Sequence, residues 1–250
     1  MSAARIVPGW RHAVLGVLCA LGWQGAAAAG NALAPFAMVG GEPVPPWRWS
    51  LLPHQTKPVT RFSVGDFEGK HALRVEADKS YGNLAQDLHF TAGAAPPHLL
   101  SWQWRVEELN MASDLRKRSG DDTTLKLCAM FELPLDRVPF VERQLLRLMR
   151  ARSSEPMPSA SVCYVWDAHL SAGTELPNAF TKRVRYIVLE SGAAHLHQWV
   201  AERRDVAADF LRLFGDESQV VPALVGVAVG ADADNTQQRS LAYVAELALE

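Results

Sequence analysis

The strictest constraint in this sequence is a period-two alternation of apolar and polar side chains on both sides of a polar connection, within residues 99–131. Before the connection, the apolar positions are Leu100, Trp102, Trp104 and Val106. After it, they are Leu125, Leu127, Ala129 and Phe131. This alternation is typical of strands that bury one face and expose the other. A chain organised around it must form a sheet with an apolar inner face.

Further short strands are predicted on both sides of this pair. They are residues 60–64, 71–77, 84–90, 161–167, 183–190, 195–202, 223–230 and 240–249. Turn compositions separate them at the spacing of an antiparallel sandwich. Because strands and helices do not alternate, we predict an all-β fold, an antiparallel β-sandwich of jelly-roll type, over residues 59–250. Residues 30–58, rich in proline and glycine, are predicted to form a loosely ordered lead into it.

Two segments have helical periodicity and predict short peripheral helices. The first is an amphipathic insertion at about residues 136–152. Its apolar positions are Val141, Leu145 and Leu148, and its basic positions are Arg143, Arg147 and Arg150. It either packs on the sandwich or docks a membrane surface or a partner through its basic face. In the second, Asp205 is the expected N-cap and Gly215 the C-terminal glycine.

The first 29 residues have the composition of a secretory signal peptide. Arg5 and Arg11 precede an apolar run too short to span a bilayer, and small residues follow up to Ala29. We predict cleavage after Ala29, a periplasmic or extracellular location and no transmembrane segment in the mature chain. Cleavage leaves 23 basic and 27 acidic side chains, a formal net charge of −4, which argues against a nucleic-acid partner.

Two cysteines remain in the mature chain, in a compartment that permits disulfides. Cys128 and Cys163 each lie on the strand face opposite the main apolar stripe. The pattern fits a bridge between neighbouring strands and fits two free buried cysteines equally well. The six mature tryptophans suggest sugar stacking, but their positions favour the core for most of them.

Established catalytic motifs are absent from the sequence. It contains no Gly-x-Ser-x-Gly elbow, no His-Glu-x-x-His, no Cys-x-x-Cys and no phosphate-binding glycine loop. His195 and His197 would share one strand face, but no third zinc ligand is identifiable, so an exposed strand is favoured. No catalytic residue is assigned, and we lean against an enzyme.

Two acidic turns hold the sharpest polar motifs, Gly120-Asp121-Asp122 and Asp232-Ala-Asp-Asn-Thr236. The second does not match the EF-hand calcium loop, which requires glycine at its sixth position and glutamate at its twelfth, because these positions are Gln237 and Tyr243. A turn closed by side-chain oxygens is favoured over a calcium site built from several loops. The candidate calcium ligands are Asp121, Asp122, Asp232, Asp234 and Asn235. We expect the four aspartates to gather at one end of the sandwich, with Arg203 or Arg204 neutralising them.

The outward faces of the patterned strands form a candidate ligand surface. If these strands share one sheet, their polar positions lie side by side and face solvent. Arginine and aspartate bind hydroxyl-rich or anionic ligands through several hydrogen bonds. The candidate ligand-binding residues are Gln103, Arg105, Lys126, Asp167 and Arg203. On this hypothesis Arg105→Ala abolishes binding and changes stability little.

Several motifs follow one another in a fixed order: Trp102-x-Trp104-Arg-Val, Gly120-Asp-Asp122, Cys163-Tyr-Val-Trp166, Ser191-Gly192, Trp199, Arg204-Asp205-Val, Asp209 and Asp232-x-Asp-Asn-Thr236. Together they resemble a bacterial secreted family known as domain of unknown function 3047. The resemblance extends from Trp47 to the C-terminus. It implies a jelly-roll sandwich similar to carbohydrate-binding modules, and it carries over no catalytic residue because the family's activity is not established.

Three functions follow from these observations. The leading hypothesis is an exported, non-catalytic module of the cell envelope that binds a glycan or another polar ligand. The second is an enzyme that acts on envelope polysaccharide with a pair of carboxyl groups from the acidic turns. The third is a structural envelope protein that docks a partner through the basic helix at 141–150.

Overall fold

The computed structural model describes Met1 and residues 32–53, 55–90, 96–153 and 155–250. The predicted signal peptide, apart from Met1, lies outside the described residues, so its cleavage stays a prediction. Within the described part of the chain, no helix combines the length and the apolarity needed to cross a membrane.

The described residues form fourteen strands and two α-helices. The strands are β1 (Met38–Val39), β2 (Glu42–Pro43), β3 (Trp47–Ser50), β4 (Arg61–Phe67), β5 (Lys70–Asp78), β6 (Tyr81–Asp87), β7 (Leu99–Glu108), β8 (Leu125–Glu132), β9 (Ala160–Asp167), β10 (Glu175–Pro177), β11 (Val184–Ser191), β12 (Val200–Asp205), β13 (Ala223–Asp232) and β14 (Arg239–Leu249). The helices are α1 (Phe140–Arg152) and α2 (Val206–Phe214). As predicted, the Asp205 carboxylate caps α2 by accepting hydrogen bonds from its first backbone N–H groups.

Two sheets make the sandwich. One has seven strands in the order β10-β11-β9-β8-β13-β6-β3, and the other has five in the order β12-β7-β14-β5-β4. The described pairings are antiparallel except for that between β9 and β11, which is parallel. The predicted fold class, an antiparallel β-sandwich of jelly-roll type, is confirmed.

The two sheets meet through a core of large aromatic side chains. Trp102 and Trp104 on β7 contact Tyr164 and Trp166 on β9, with ring centroids 5.4 and 5.7 Å apart. Trp47, Trp102, Trp104 and Trp166 are buried, so most of the six mature tryptophans are core, as expected. The two strands that anchor the sequence pattern, β7 and β8, lie in different sheets, on opposite sides of this core.

Three local predictions need correction. The lead contains an edge strand, because β3 pairs with β6 and buries Trp47. The segment at 195–199 is a turn, and the strand begins only at Val200. The helix predicted from residue 136 begins at Phe140, directly after Pro139, whose ring fits the start of a helix and not its interior.

Cys128 and Cys163 are register partners on β8 and β9 and form a disulfide. Of the two alternatives that the sequence left open, the bridge between neighbouring strands is therefore the one observed.

Candidate functional site

The outer face of the seven-stranded sheet carries a cleft of about 580 Å³. Helix α1 and the loops at 51–53, 155–158 and 178–183 surround it. Side chains from β6, β8, β9, β11 and β13 line it from the sheet side. Because the cleft lies opposite the core, both faces of the central strands β8 and β9 are buried. The volume is in the range of small-molecule binding sites.

Two glycines on β13 leave room for side chains of the neighbouring strands on the floor of this cleft. A Cβ atom at Gly230 would collide with the Asn83 amide, and one at Gly226 would collide with the Met130 methyl group. Glycine at these two positions therefore allows side chains of β6 and β8 to lie across β13. The Cys128–Cys163 disulfide joins β8 to β9 in the same floor.

Helix α1 forms one wall of the cleft and is attached near both ends. Near its N-terminus, Glu142 accepts a hydrogen bond from the Thr181 hydroxyl at 3.0 Å. Near its C-terminus, Arg150 pairs with Glu132 of β8 at 2.8 Å. The predicted apolar stripe does not face the sandwich. Leu146 is the buried residue of the helix, and the stripe residues Val141, Leu145 and Leu148 are exposed.

A buried ion pair lies at one end of the cleft. The Lys126 ammonium group is 3.1 Å from Asp232 Oδ2, and each of the two side chains is less than one-tenth exposed. Asp232 Oδ1 also accepts hydrogen bonds from the backbone N–H and the hydroxyl of Thr123. Burial lowers the pKa of Lys126, but the Asp232 charge, the Tyr186 and Tyr81 hydroxyls and the hydrogen bond to Asp232 together raise it above its usual value. Burial raises the pKa of Asp232, and Lys126 and the Thr123 donors oppose that shift.

Asp121 and Asp234 lie at the same end of the cleft, and each has one carboxylate oxygen without a hydrogen-bond partner among the described residues. Asp121 Oδ2 accepts a hydrogen bond from the Asn178 amide, and Asp234 Oδ2 pairs with Lys57. The other oxygens, Asp121 Oδ1 and Asp234 Oδ1, are buried and have no hydrogen-bond partner among the described residues. Burial and the Asp232 charge raise the pKa of Asp121 to about 6. Both residues line the cleft.

Asp122 organises the loops behind the cleft. Its Oδ1 accepts hydrogen bonds from the backbone N–H and the side-chain amide of Asn235, both at 3.1 Å. Its Oδ2 accepts from the backbone N–H and the hydroxyl of Thr236, at 2.7 and 2.6 Å. The turn at 232–236 is thus closed by side-chain oxygens, as predicted, but these oxygens belong to Asp122 of the other acidic turn.

The aspartates come together as expected, but their contacts do not fit calcium. Carboxylate oxygens of Asp122, Asp232 and Asp234 lie within 4.8 Å of one another. A calcium ion needs six to eight oxygen ligands with free lone pairs. Both oxygens of Asp122 accept hydrogen bonds from loop N–H and hydroxyl groups. The ammonium groups of Lys126 and Lys57 neutralise Asp232 and Asp234. The predicted arginine is wrong, because Arg204 pairs with Asp209 and Arg203 lies on the other sheet.

The predicted ligand residues do not form one surface. Gln103, Arg105 and Arg203 lie on the outer face of the five-stranded sheet, where Arg105 pairs with Glu107. Lys126 and Asp167 belong to the seven-stranded sheet, and of the five only Lys126 lines the cleft. Asp167 Oδ1 accepts hydrogen bonds from two backbone N–H groups of the following turn. A shared surface was expected because β7, β8 and β9 were assigned to one sheet.

Several polar residues of the cleft were missed from the sequence. They are Tyr81, Asn83, Asn178 and Tyr186, which come from different strands and loops and form no motif. One usable signal was present: both cysteines fall on outward strand positions, and buried cysteine there indicates a covered outer face. His195 and His197 contact different carboxylates, Glu190 and Glu107, and do not form a zinc pair.

Solved structures similar to this chain include several glucanases. An endo-1,4-beta-glucanase described as CelB2 has 10% identity and a TM-score of 0.45, covering 86% of this chain and 96% of its own. A family 12 xyloglucanase from Bacillus licheniformis has 6% identity and a TM-score of 0.45, covering 88% and 98%. An endoglucanase from Rhodothermus marinus has 9% identity and a TM-score of 0.38, covering 81% and 95%. At these values the likeness carries no argument about activity.

A known protein family matches most of this chain. No curated protein matches this sequence significantly. A family model, described as protein of unknown function (DUF3047), matches residues 45–248, which include both sheets of the sandwich apart from the last residue of β14. The separate strand pair β1–β2 precedes the match. The protein therefore belongs to the DUF3047 family.

Proposed function

We propose that this protein is an exported binding protein of the cell envelope whose cleft takes a hydroxyl-bearing ligand, with a glycan segment as the leading class. One observation carries the proposal: Asp121 and Asp234 each keep a buried carboxylate oxygen with no described partner at the edge of the cleft. A buried acceptor left without a donor costs about 1–3 kcal/mol. Ligand hydroxyl groups supply such donors.

The neighbouring groups suit the same chemistry. A sugar hydroxyl both donates and accepts hydrogen bonds, and the cleft offers acceptors at Asp121 and Asp234 beside the Asn178 amide and the Tyr186 hydroxyl. The Asn178 amide donates to both Asp121 and Tyr186, which holds the three side chains in a defined arrangement. Preorganised polar groups of this kind orient a ligand in a pocket that is otherwise mostly apolar.

A glycan array probed with the mature protein, followed by calorimetry on any oligosaccharide found, tests the proposal. Asp121→Asn replaces one carboxylate oxygen by an amide donor and is expected to weaken binding at least tenfold. Asp66→Asn, at the end of β4 in the other sheet, is the matched control, because Asp66 is well exposed and contacts His71 outside the cleft. An array without hits, or equal affinities for the two variants, would overturn the proposal.

A second candidate is an enzyme that cleaves the bound glycan. The observation that favours it is the pKa of Asp121, raised to about 6 by burial and by Asp232 in the same cleft. Glycosidases raise the pKa of their general acid in this way. Under this candidate, Asp121→Asn abolishes the release of reducing ends from the oligosaccharide that binds. Binding without any turnover by the unmodified protein leaves the non-catalytic function alone.

A further inference from the structure

The cleft changes its chemistry along its length. The outward side chains of β8 run from Lys126 through Cys128 to Met130, about 13 Å at the usual rise of a strand. The ion pair and both unpartnered carboxylate oxygens lie at the Lys126 end. At the other end, Met130 and the disulfide form the floor, and Leu146 and Met149 of α1 form the wall.

Large apolar side chains also line the mouth of the cleft. Leu52, Leu145 and Phe180 line the cleft, yet they are 43%, 50% and 52% exposed. Large apolar side chains that share a concave rim mark a place where another molecule is held. A purely polar ligand gives Met130, Leu146 and Met149 at the apolar end nothing to pack against, because a sugar ring usually binds on an exposed aromatic side chain and these groups are aliphatic or thioether.

We propose that the ligand is an amphiphile with a hydroxylated head and an alkyl chain. The head contacts Asp121 and Asp234, and the chain lies between Met130 and α1. This inference rests on the proposed function, because it assigns the head to the same carboxylates. It adds the class of molecule: a glycolipid or another hydroxylated lipid, whose head is the glycan segment of the proposed function and whose alkyl chain adds affinity.

The probes are n-alkyl β-glucosides from methyl to octyl, used below their micelle concentrations and titrated into the mature protein by calorimetry. Each methylene buried against the apolar half is expected to tighten binding about fourfold, until the chain reaches the rim. Equal affinity for methyl and octyl glucoside would overturn the amphiphile inference and leave the proposed function standing. Binding of octyl glucoside that Asp121→Asn does not weaken would instead overturn the head site, and with it the proposed function.

A matched pair of variants on one helix separates specific from general chain binding. Leu145→Gln and Leu148→Gln both change a half-exposed leucine of α1, but only Leu145 lines the cleft. Leu145→Gln is expected to flatten the dependence on chain length, and Leu148→Gln to leave it unchanged. Equal effects of the two changes would mean that the chain binds the outer surface of the helix, which contradicts the inference. Unfolding midpoints of both variants establish that each is folded.

Discussion

The two outer faces of the sandwich show how covering a sheet changes what its polar residues do. On the outer face of the five-stranded sheet, the Glu76 carboxylate is buried beneath its partners Arg61, Arg74 and Arg239, which are themselves about one-third to two-thirds exposed. On the seven-stranded sheet, α1 and the surrounding loops cover the face, and the ion pair of Lys126 with Asp232 is buried. Ion pairs on an open face contribute little to stability, whereas a broken buried pair costs several kcal/mol.

The carboxyl groups of the two faces also titrate in opposite directions. Burial would raise the pKa of Glu76, but hydrogen bonds from its three arginine partners lower it to about 2. Burial raises the pKa of Asp121 to about 6, and the Asp232 charge adds to it. The covered face therefore holds a carboxyl group that favours its neutral form, while the open face holds one that favours its charged form.

The largest expected effect comes from breaking the buried ion pair. Asp232→Ala leaves the Lys126 ammonium group without its counter-charge, and the free energy of unfolding should fall by about 3–5 kcal/mol. Glu246→Ala removes the exposed partner of Lys70 on the open face and should cost no more than about 1 kcal/mol. Urea unfolding at pH 7 measures both. If Asp232→Ala does not fold, the double change Asp232→Leu with Lys126→Met should recover most of the lost stability. Similar losses of unfolding free energy in Asp232→Ala and Glu246→Ala would contradict the contrast between the two faces.

The next effect concerns the disulfide in the cleft floor. Cys128 and Cys163 are 35 residues apart, and closing a loop of that length stabilises the folded state by about 4 kcal/mol in the chain-entropy model. Replacing both cysteines by alanine should lower the free energy of unfolding by about 2–4 kcal/mol, measured in urea. Adding a reductant to that variant should change nothing further. A loss well below 1 kcal/mol would show that the covered face does not depend on the bridge.

The pH dependence of stability should differ in sign between the faces. Because the folded pKa of Asp121 is raised from 3.8 to about 6, the folded state binds more protons in this window and loses stability as pH rises from about 4 to 6. The shift corresponds to at most about 3 kcal/mol. Asp121→Asn should therefore be more stable than the unmodified protein at pH 7 and similar to it near pH 3.5. Lower stability of this variant at pH 7 would contradict the assignment.

Glu76 provides the opposite case on the open face. Its folded pKa is lowered, so its contribution is present above about pH 4.5 and is lost as pH falls towards 2. Glu76→Gln should remove that acid-induced loss and leave the slope between pH 5 and 7 unchanged. Unfolding curves over the same pH series as for Asp121→Asn measure it. A change of slope above pH 5 would mean that the two faces are coupled.

The smallest effect is expected at Arg105. It pairs with Glu107 and lies over the Phe67 ring on the outer face of the five-stranded sheet. Because the Arg105 side chain is only 14% exposed and packs on Phe67, Arg105→Ala should lower the free energy of unfolding by about 1–2 kcal/mol and leave the affinity for cleft probes unchanged. Loss of glucoside or glycan binding in this variant would return the ligand site to the open face, where the sequence alone had placed it.

The sequence predicted most strands within a few residues, because alternation along one strand is a local property. The pattern at Leu125, Leu127 and Phe131 reports which side chains turn inwards, whatever the partner strand is. The α1 stripe was misread for a related reason. Helical spacing at Val141, Leu145 and Leu148 identifies an apolar face but does not say whether that face meets the sandwich or the mouth of a cleft.

The candidate site was less predictable than the strands that build it. Asp121, Asp122, Asp232 and Asp234 were expected to meet because each borders a strand end, and they do. Their counter-ions were predicted incorrectly, because Lys57 and Lys126 come from segments far apart in the chain and a charge pattern alone does not pair them.

What the sequence determined by itself is the all-β class, the strand positions, the family resemblance and the grouping of the acidic turns. The tertiary structure decided which sheet each strand joins, since this depends on hydrogen bonds between distant segments and not on the side-chain period of any one of them. That choice placed Arg105 and Lys126 on opposite outer faces. It also decided that α1 covers the outer face of the seven-stranded sheet, and α1 forms a wall of the cleft described above.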